Sequence, residues 1–155
     1  TEAFLIMSGK GDLLYNVFLI GVLPALGEEL LFRGVIQNII NRNRKNYHVG
    51  IWVTAVLFSA IHFQFYGFLP RMFLGAFFGY LLVWSGSLWL PILAHFINNT
   101  TAVLIAYYFG QEVMENDLDK MGTTEDTYLI AIVSAFLFSF LLWRFRKITA
   151  LKSSK

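Results

Sequence analysis

The chain has 155 residues, 57% hydrophobic and only 14% charged, with 16 phenylalanines and no cysteine. An average soluble domain is about 45 to 50% apolar even with glycine counted, and so short a chain has too little interior to hide the excess, so the composition argues against a water-soluble globule and for a bilayer. A net charge of +2 is too small for a nucleic-acid surface, and the lack of cysteine removes disulfides, thiolate nucleophiles and thiolate metal sites.

Crossing about 30 Å of hydrocarbon takes about 20 mostly apolar residues. The first predicted span, 13–40, is long and contains Pro24, which removes a helix hydrogen bond and predicts a kink or break. The loop at 41–48 carries Arg42, Arg44 and Lys45 with no acid and reads as cytoplasmic. Spans 50–63 and 71–84 hold 14 residues each and need flanking residues or shielding inside the bundle. The second of these carries Gly75-Ala-Phe-Phe-Gly79, a small-residue pattern that favours close packing within the bundle over a dimer face. Span 89–109 follows a short turn. The loop at 111–126, with Glu112, Glu115, Asp117, Asp119, Glu125 and Asp126 against Lys120 alone, lacks the cationic excess of an inner loop and reads as external. Span 127–145 returns the chain to a basic C-terminus with Arg144, Arg146, Lys147, Lys152 and Lys155, again cytoplasmic.

The predicted fold is all-α, a polytopic transmembrane helix bundle of about five spans in one membrane-embedded domain, 1–155, with a motif core at 13–99. The opening Thr1 in place of methionine points to the C-terminal part of a longer chain.

Ionisable residues inside spans are expensive and are functional candidates. In Gly27-Glu-Glu-Leu-Leu-Phe-Arg-Gly34, Glu29 and Arg33 stand four apart with the acid first, the favoured order for a helical ion pair. Glu28 is rotated about 100° from Glu29 and has no partner on its own helix, which makes it the candidate general base. A purely structural pair with a snorkelling Glu28 is the competing reading. His62 and His95 follow on later spans, and either one alone would pass for a helix–helix hydrogen bond. Glu28 lies 12 residues before Ile40 and His62 lies 12 residues after Gly50, so both sit about 18 Å from the same basic loop and can meet. His95, counted from Ser87, reaches only about 12 Å, but helix tilt and side-chain length bring the same cavity within reach. Asn99 shares the His95 face one turn on, and Asn98 points elsewhere.

These groups suffice for attack of water on an amide. Glu28 would take a proton from water, His62 would orient it, and His95 with Asn99 would donate to the oxyanion. His62, His95 and one glutamate, Glu28 in the first instance, also make a zinc set with water in the open position. No local metal-spacing signal joins histidines 33 residues apart, so no cofactor is favoured and zinc stays the alternative.

Glu-Glu-x-x-x-Arg, Phe-x-x-x-His and His-x-x-x-Asn, in that order on successive apolar spans, resemble the CAAX protease and bacteriocin-processing (CPBP, or Abi) family of intramembrane proteases. The resemblance covers about 13–99 and implies that Glu28, Glu29, Arg33, His62, His95 and Asn99 are functional positions. It implies a glutamate-dependent peptidase acting on a membrane protein or lipidated peptide in the bilayer, of which removal of the residues after a prenylated cysteine is one form and bacteriocin processing or self-immunity another. The alternative within the family is a noncatalytic immunity or scaffold protein. A proton-coupled carrier is a third reading, and the absence of an inverted repeat speaks against it.

Overall fold

A computed structural model describes residues 7, 9–42, 46–65, 67–109 and 128–153. Every regular element among them is helical. From Val17 to Asn41 the helix is uninterrupted but changes width: a π-helical segment at Val17–Val22 leads into α2 (Leu23–Glu29), a second π segment at Leu30–Gln37 and α3 (Asn38–Asn41), and α1 (Lys10–Asn16) precedes them. Pro24 occupies the first turn of α2, and the backbone on either side stays right-handed helical. The break expected at Pro24 is therefore replaced by a widened turn just before it, a common way for a helix to absorb a missing backbone donor. Three further helices follow, α4 (Tyr47–Ala60), α5 (Phe68–Ser85) and α6 (Trp89–Phe109), and then α7 (Tyr128–Ser153).

The chain divides into two compact units, Leu14–Thr101 and a second made of Thr1–Leu13 with Ala102–Lys155. In the second unit, α7 carries Lys147 with its ammonium 5.3 Å from the Trp143 ring centre, and the Thr149 hydroxyl donates back to the Arg146 carbonyl at 3.0 Å. Such hydroxyl back-bonding satisfies a polar side chain inside an apolar helix.

Leu14–Thr101 contains every motif residue. Its helices alternate in direction. Arg33 and Gln37 pair with Gly75 and Gly79 in rising order, so the second π segment and α5 run parallel. Gly21 faces Thr100 while Gly34 faces Leu88, so α6 runs antiparallel to the first long helix. Short connections tie the ends. Asn46 caps α4 by accepting from the His48 N–H at 3.0 Å, and α5 ends on Gly86 in the left-handed region at φ 67°, where glycine alone is unstrained.

The core between these helices is small and aromatic, built on Ile51, Ala55, Phe58, Ala76 and Phe78. The outward faces are strongly apolar, with Ile39, Leu57, Phe73, Leu93 and Ile97 exposed. Buried polar groups inside and exposed apolar side chains outside are the distribution that lipid, as solvent, requires. Two helices among the described residues, Phe68–Ser85 and Trp89–Phe109, are long and apolar enough to cross a membrane, and Tyr47–Ala60 is a shorter apolar helix. The acidic loop at 111–126 lies outside the described residues, as do positions 43–45 of the basic loop.

Candidate active site

Glu29 is the hub of the site. Its Oε1 accepts from Arg33 Nη1 at 2.8 Å, the i,i+4 pair that the spacing predicts, and both side chains are fully buried. The same oxygen accepts from His95 Nδ1 at 2.8 Å, and His95 is only 4% exposed. A carboxylate held by Arg33 only accepts, so His95 Nδ1 carries the proton and its Nε2 is the ring atom left to exchange one. That Nε2 lies 3.9 Å from Glu28 Oε2, and Glu28 remains 27% exposed. The gap exceeds a hydrogen bond. Two adjacent glutamates thus sit in different environments, one buried and neutralised by Arg33, the other accessible and facing the imidazole.

Arg33 makes a second contact, Nη2 donating to the Gly75 carbonyl at 2.7 Å. One turn further along the same helix, buried Gln37 donates from Nε2 to the Gly79 carbonyl at 3.2 Å. The close approach requires glycine: a Cβ on Gly75 would stand 3.1 Å from the Phe58 ring and 3.3 Å from Arg33 Nη2, and one on Gly79 would stand 2.8 Å from Gln37 Oε1. The Gly75-x-x-x-Gly79 pattern therefore packs inside the bundle and opens carbonyls to two buried side chains. Gln37 Oε1 itself has no hydrogen-bond partner among the described residues, which costs about 1–3 kcal/mol for a buried amide.

Two phenylalanines enclose the polar groups. The Arg33 guanidinium lies 4.6 Å from the Phe58 ring centre and 5.4 Å from that of Phe78. His95 stacks on Phe78 with centroids 5.1 Å apart and meets Phe58 edge-on at 5.9 Å. Packed so, the rings exclude water and strengthen each charge contact inside.

His62 reaches the cluster through Phe58. It follows the end of α4, its Nδ1 donates to the Phe58 carbonyl at 2.9 Å, and its ring meets Phe58 edge-on at 5.4 Å. A carbonyl only accepts, so the neutral His62 ring keeps its Nε2 as an acceptor. Among the described residues no hydrogen bond or ion pair joins Glu28 to His62. Equal depth from the basic loop suggests that meeting, but depth is one coordinate only, and rotation and helix adjacency bring His95 to Glu28 in its place. The next residue, Phe63, has φ 52° and is 95% exposed, a strained position for a bulky side chain. The loop it opens is closed by Arg71 Nη2 donating to Gln64 Oε1 at 2.6 Å and by the Ser59 hydroxyl donating to the Phe68 carbonyl at 2.7 Å.

Asn99 lies one turn beyond His95, donates from Nδ2 to the Ile20 carbonyl at 3.1 Å and accepts from Asn98 at 3.2 Å. Ile20 belongs to the first π segment, so Asn99 ties α6 to that helix and keeps one N–H to give. Asn98 thus contacts the side chain it was expected to point away from. His48, in the first turn of α4, bonds the Tyr80 hydroxyl at 2.8 Å while staying exposed.

No group of three His, Asp or Glu side chains among the described residues is gathered closely enough to hold a metal ion. In both histidines of the zinc alternative Nδ1 is engaged, His62 with the Phe58 carbonyl and His95 with Glu29, which leaves Nε2 as the nitrogen a metal would use. Sequence reasoning passed over Gln37 and Phe78. Their signals were present, since Gln37 continues the four-residue step from Glu29 and Arg33, and Phe78 lies inside the glycine pattern.

Beside the site an almost wholly apolar cleft of about 290 Å³ opens between the first long helix and α6, lined by Val22, Ala25, Leu26, Trp89, Ile92, Leu93 and Phe96. Ala25 and Leu26 lie about a turn from the glutamates and Ile92 about a turn from His95.

Among curated proteins, an uncharacterized protein of Bacillus subtilis strain 168, YpbD, is 31% identical over 86 residues, covering 53% of this chain and 41% of the relative. An uncharacterized 24.3 kDa protein of Escherichia coli is 33% identical over 100 residues, covering 60% of this chain and 45% of the relative. The chain thus spans less than half the length of these relatives. No solved structure matches. A family model described as type II CAAX prenyl endopeptidase Rce1-like matches residues 10–101, well over half of the chain and all three motifs. The chain belongs to the Rce1-like family of type II CAAX prenyl endopeptidases.

Proposed function

We propose that the protein is an intramembrane endopeptidase that hydrolyses a peptide bond of a membrane-associated substrate, of the prenylated CAAX type, with water activated by Glu28. The observation that carries the reading is the contrast between the two glutamates. Glu29 is buried, held by Arg33 and bonded to His95, whereas Glu28 is accessible and faces His95 Nε2 at 3.9 Å. One acid positions and the other reacts, a division of roles that paired carboxylates in unlike environments support.

In this reading Glu28 takes the proton of the attacking water as its oxygen bonds to the scissile carbonyl carbon, with the Nε2 acceptor of His62 orienting that water. The tetrahedral oxyanion is held by the free N–H of Asn99 and by His95, whose Nε2 donates only in the protonated ring. The proton on Glu28 then passes to the leaving amine as the C–N bond breaks. Glu29, oriented by Arg33, fixes the His95 ring as the third member of a triad fixes its histidine. No cofactor enters this scheme. The chain lies in the cell membrane and crosses it about five times, with loop 41–48 and the C-terminus cytoplasmic and loop 111–126 external, supported by the family and by the charge asymmetry of the loops.

The test is cleavage of a peptide carrying a prenylated cysteine by the complete protein in vesicles. Glu28→Gln preserves shape and removes the base, and turnover should fall by about 10²–10⁴ while the protein still inserts and folds. Full turnover in Glu28→Gln would refute the mechanism.

A further inference from the structure

Gln37 is 1% exposed, lies in a helix facing an apolar interior, and leaves one amide oxygen unbonded against Gly79. A leucine or methionine would fill that space without stranding a polar atom, so packing alone does not explain a glutamine here. Its other amide group is informative. Gln37 Nε2 donates to the Gly79 carbonyl, one turn beyond the point where Arg33 Nη2 donates to the Gly75 carbonyl, and the step is four residues on both helices. A four-residue step on a helix returns to nearly the same face, so Arg33 and Gln37 both meet α5.

One contact lets a helix pivot. Two contacts a turn apart, to a partner backbone that cannot rotate away, set both rotation and axial position. A slip of one residue would move Glu28 by about 1.5 Å along the axis and by about 100° around it, taking it away from His95 Nε2. We propose that Gln37 is a positioning residue: its bond to the Gly79 carbonyl, with that of Arg33 to Gly75, sets the register of the helix that carries Glu28 and Glu29 against α5. A buried amide retained at the expense of stability is the form in which polar groups specify register elsewhere in helical assemblies. The inference rests on the endopeptidase reading for its activity readout and on geometry alone for its second readout.

Gln37→Met keeps the volume and removes the donor. In the complete protein, assayed on a prenylated-cysteine peptide in vesicles, kcat should fall about tenfold with KM changed less than twofold and with thermal stability equal to or above that of the unsubstituted protein. An unchanged kcat overturns the proposal, and so does a parallel loss of stability and activity, which marks a structural role. The second readout uses Gly34→Cys with Leu88→Cys in the same protein, positions that meet between the first long helix and the turn leading from α5 into α6. A short bifunctional thiol reagent should link this pair efficiently, and Gln37→Met should lower the yield at least threefold. Equal yields overturn the proposal even if the protein cleaves nothing. An inactive unsubstituted protein with a Gln37-dependent yield refutes the peptidase reading and leaves the positioning role standing.

Discussion

Glu29 Oε1 takes two charge-assisted hydrogen bonds, from Arg33 and from His95, and the Glu29 and Arg33 side chains are fully buried. Removing one partner of such a buried pair strands the other. Arg33→Met should therefore destabilise the protein by about 3–5 kcal/mol, read by thermal unfolding in detergent, whereas Arg33→Met combined with Glu29→Gln should recover much of that loss because neither charge remains. The pair itself was legible as a four-residue spacing. The bond to His95 was not, because 66 residues separate the partners and no local pattern records which later helix packs against Glu29. His62, placed by its depth, has its Nδ1 on the Phe58 carbonyl and keeps Nε2 free. For His95, Phe78→Ala removes the ring on which the imidazole stacks at 5.1 Å. On the proposed mechanism it should cut kcat more than it raises KM, as measured by steady-state cleavage, because a loosened ring holds its Nε2 less well where the oxyanion would form.

At the scale of elements, the helix carrying the acids is held against α5 by glycine. Gly79→Ala puts a methyl 2.8 Å from Gln37 Oε1 and 3.0 Å from Ile51; overpacking of this kind costs about 1–3 kcal/mol, to be seen as a lower unfolding midpoint. The loop between α4 and α5 carries His62 at its start and the strained Phe63 after it, with Arg71 bonded to Gln64 as its brace. Arg71→Gln should leave the fold intact and reduce kcat through a looser His62. The lengths of the apolar stretches foretold helices here, and the glycine pattern foretold a close approach. The π segments were not foretold. Wide turns arise where packing and side-chain contacts repay a poorer backbone ladder, and that balance is set between helices rather than along one.

For the whole molecule, family membership and the two long apolar helices agree on a membrane setting. Sidedness rests on charge alone, and the absence of cysteine in this chain makes it straightforward to test. Thr123→Cys, in the acidic loop, should react with an impermeant thiol reagent added to intact cells, and Asn43→Cys, in the basic loop, only after the membrane is opened. The reverse pattern would invert the topology.

Composition by itself pointed to lipid, because so short a polymer cannot bury so much apolar surface on its own, and the lengths of the apolar stretches pointed to helices. Spacing determined the Glu29–Arg33 pair and singled out the acids and histidines, since a charge in an apolar helix is rare enough to be read without a structure. Only the tertiary structure decided that His95 joins both glutamates, that Phe58 and Phe78 wall the site, and that Gln37 reaches Gly79. Those are contacts between residues 17 or more positions apart, and their geometry depends on the rotation and register of packed helices, which no single helix encodes.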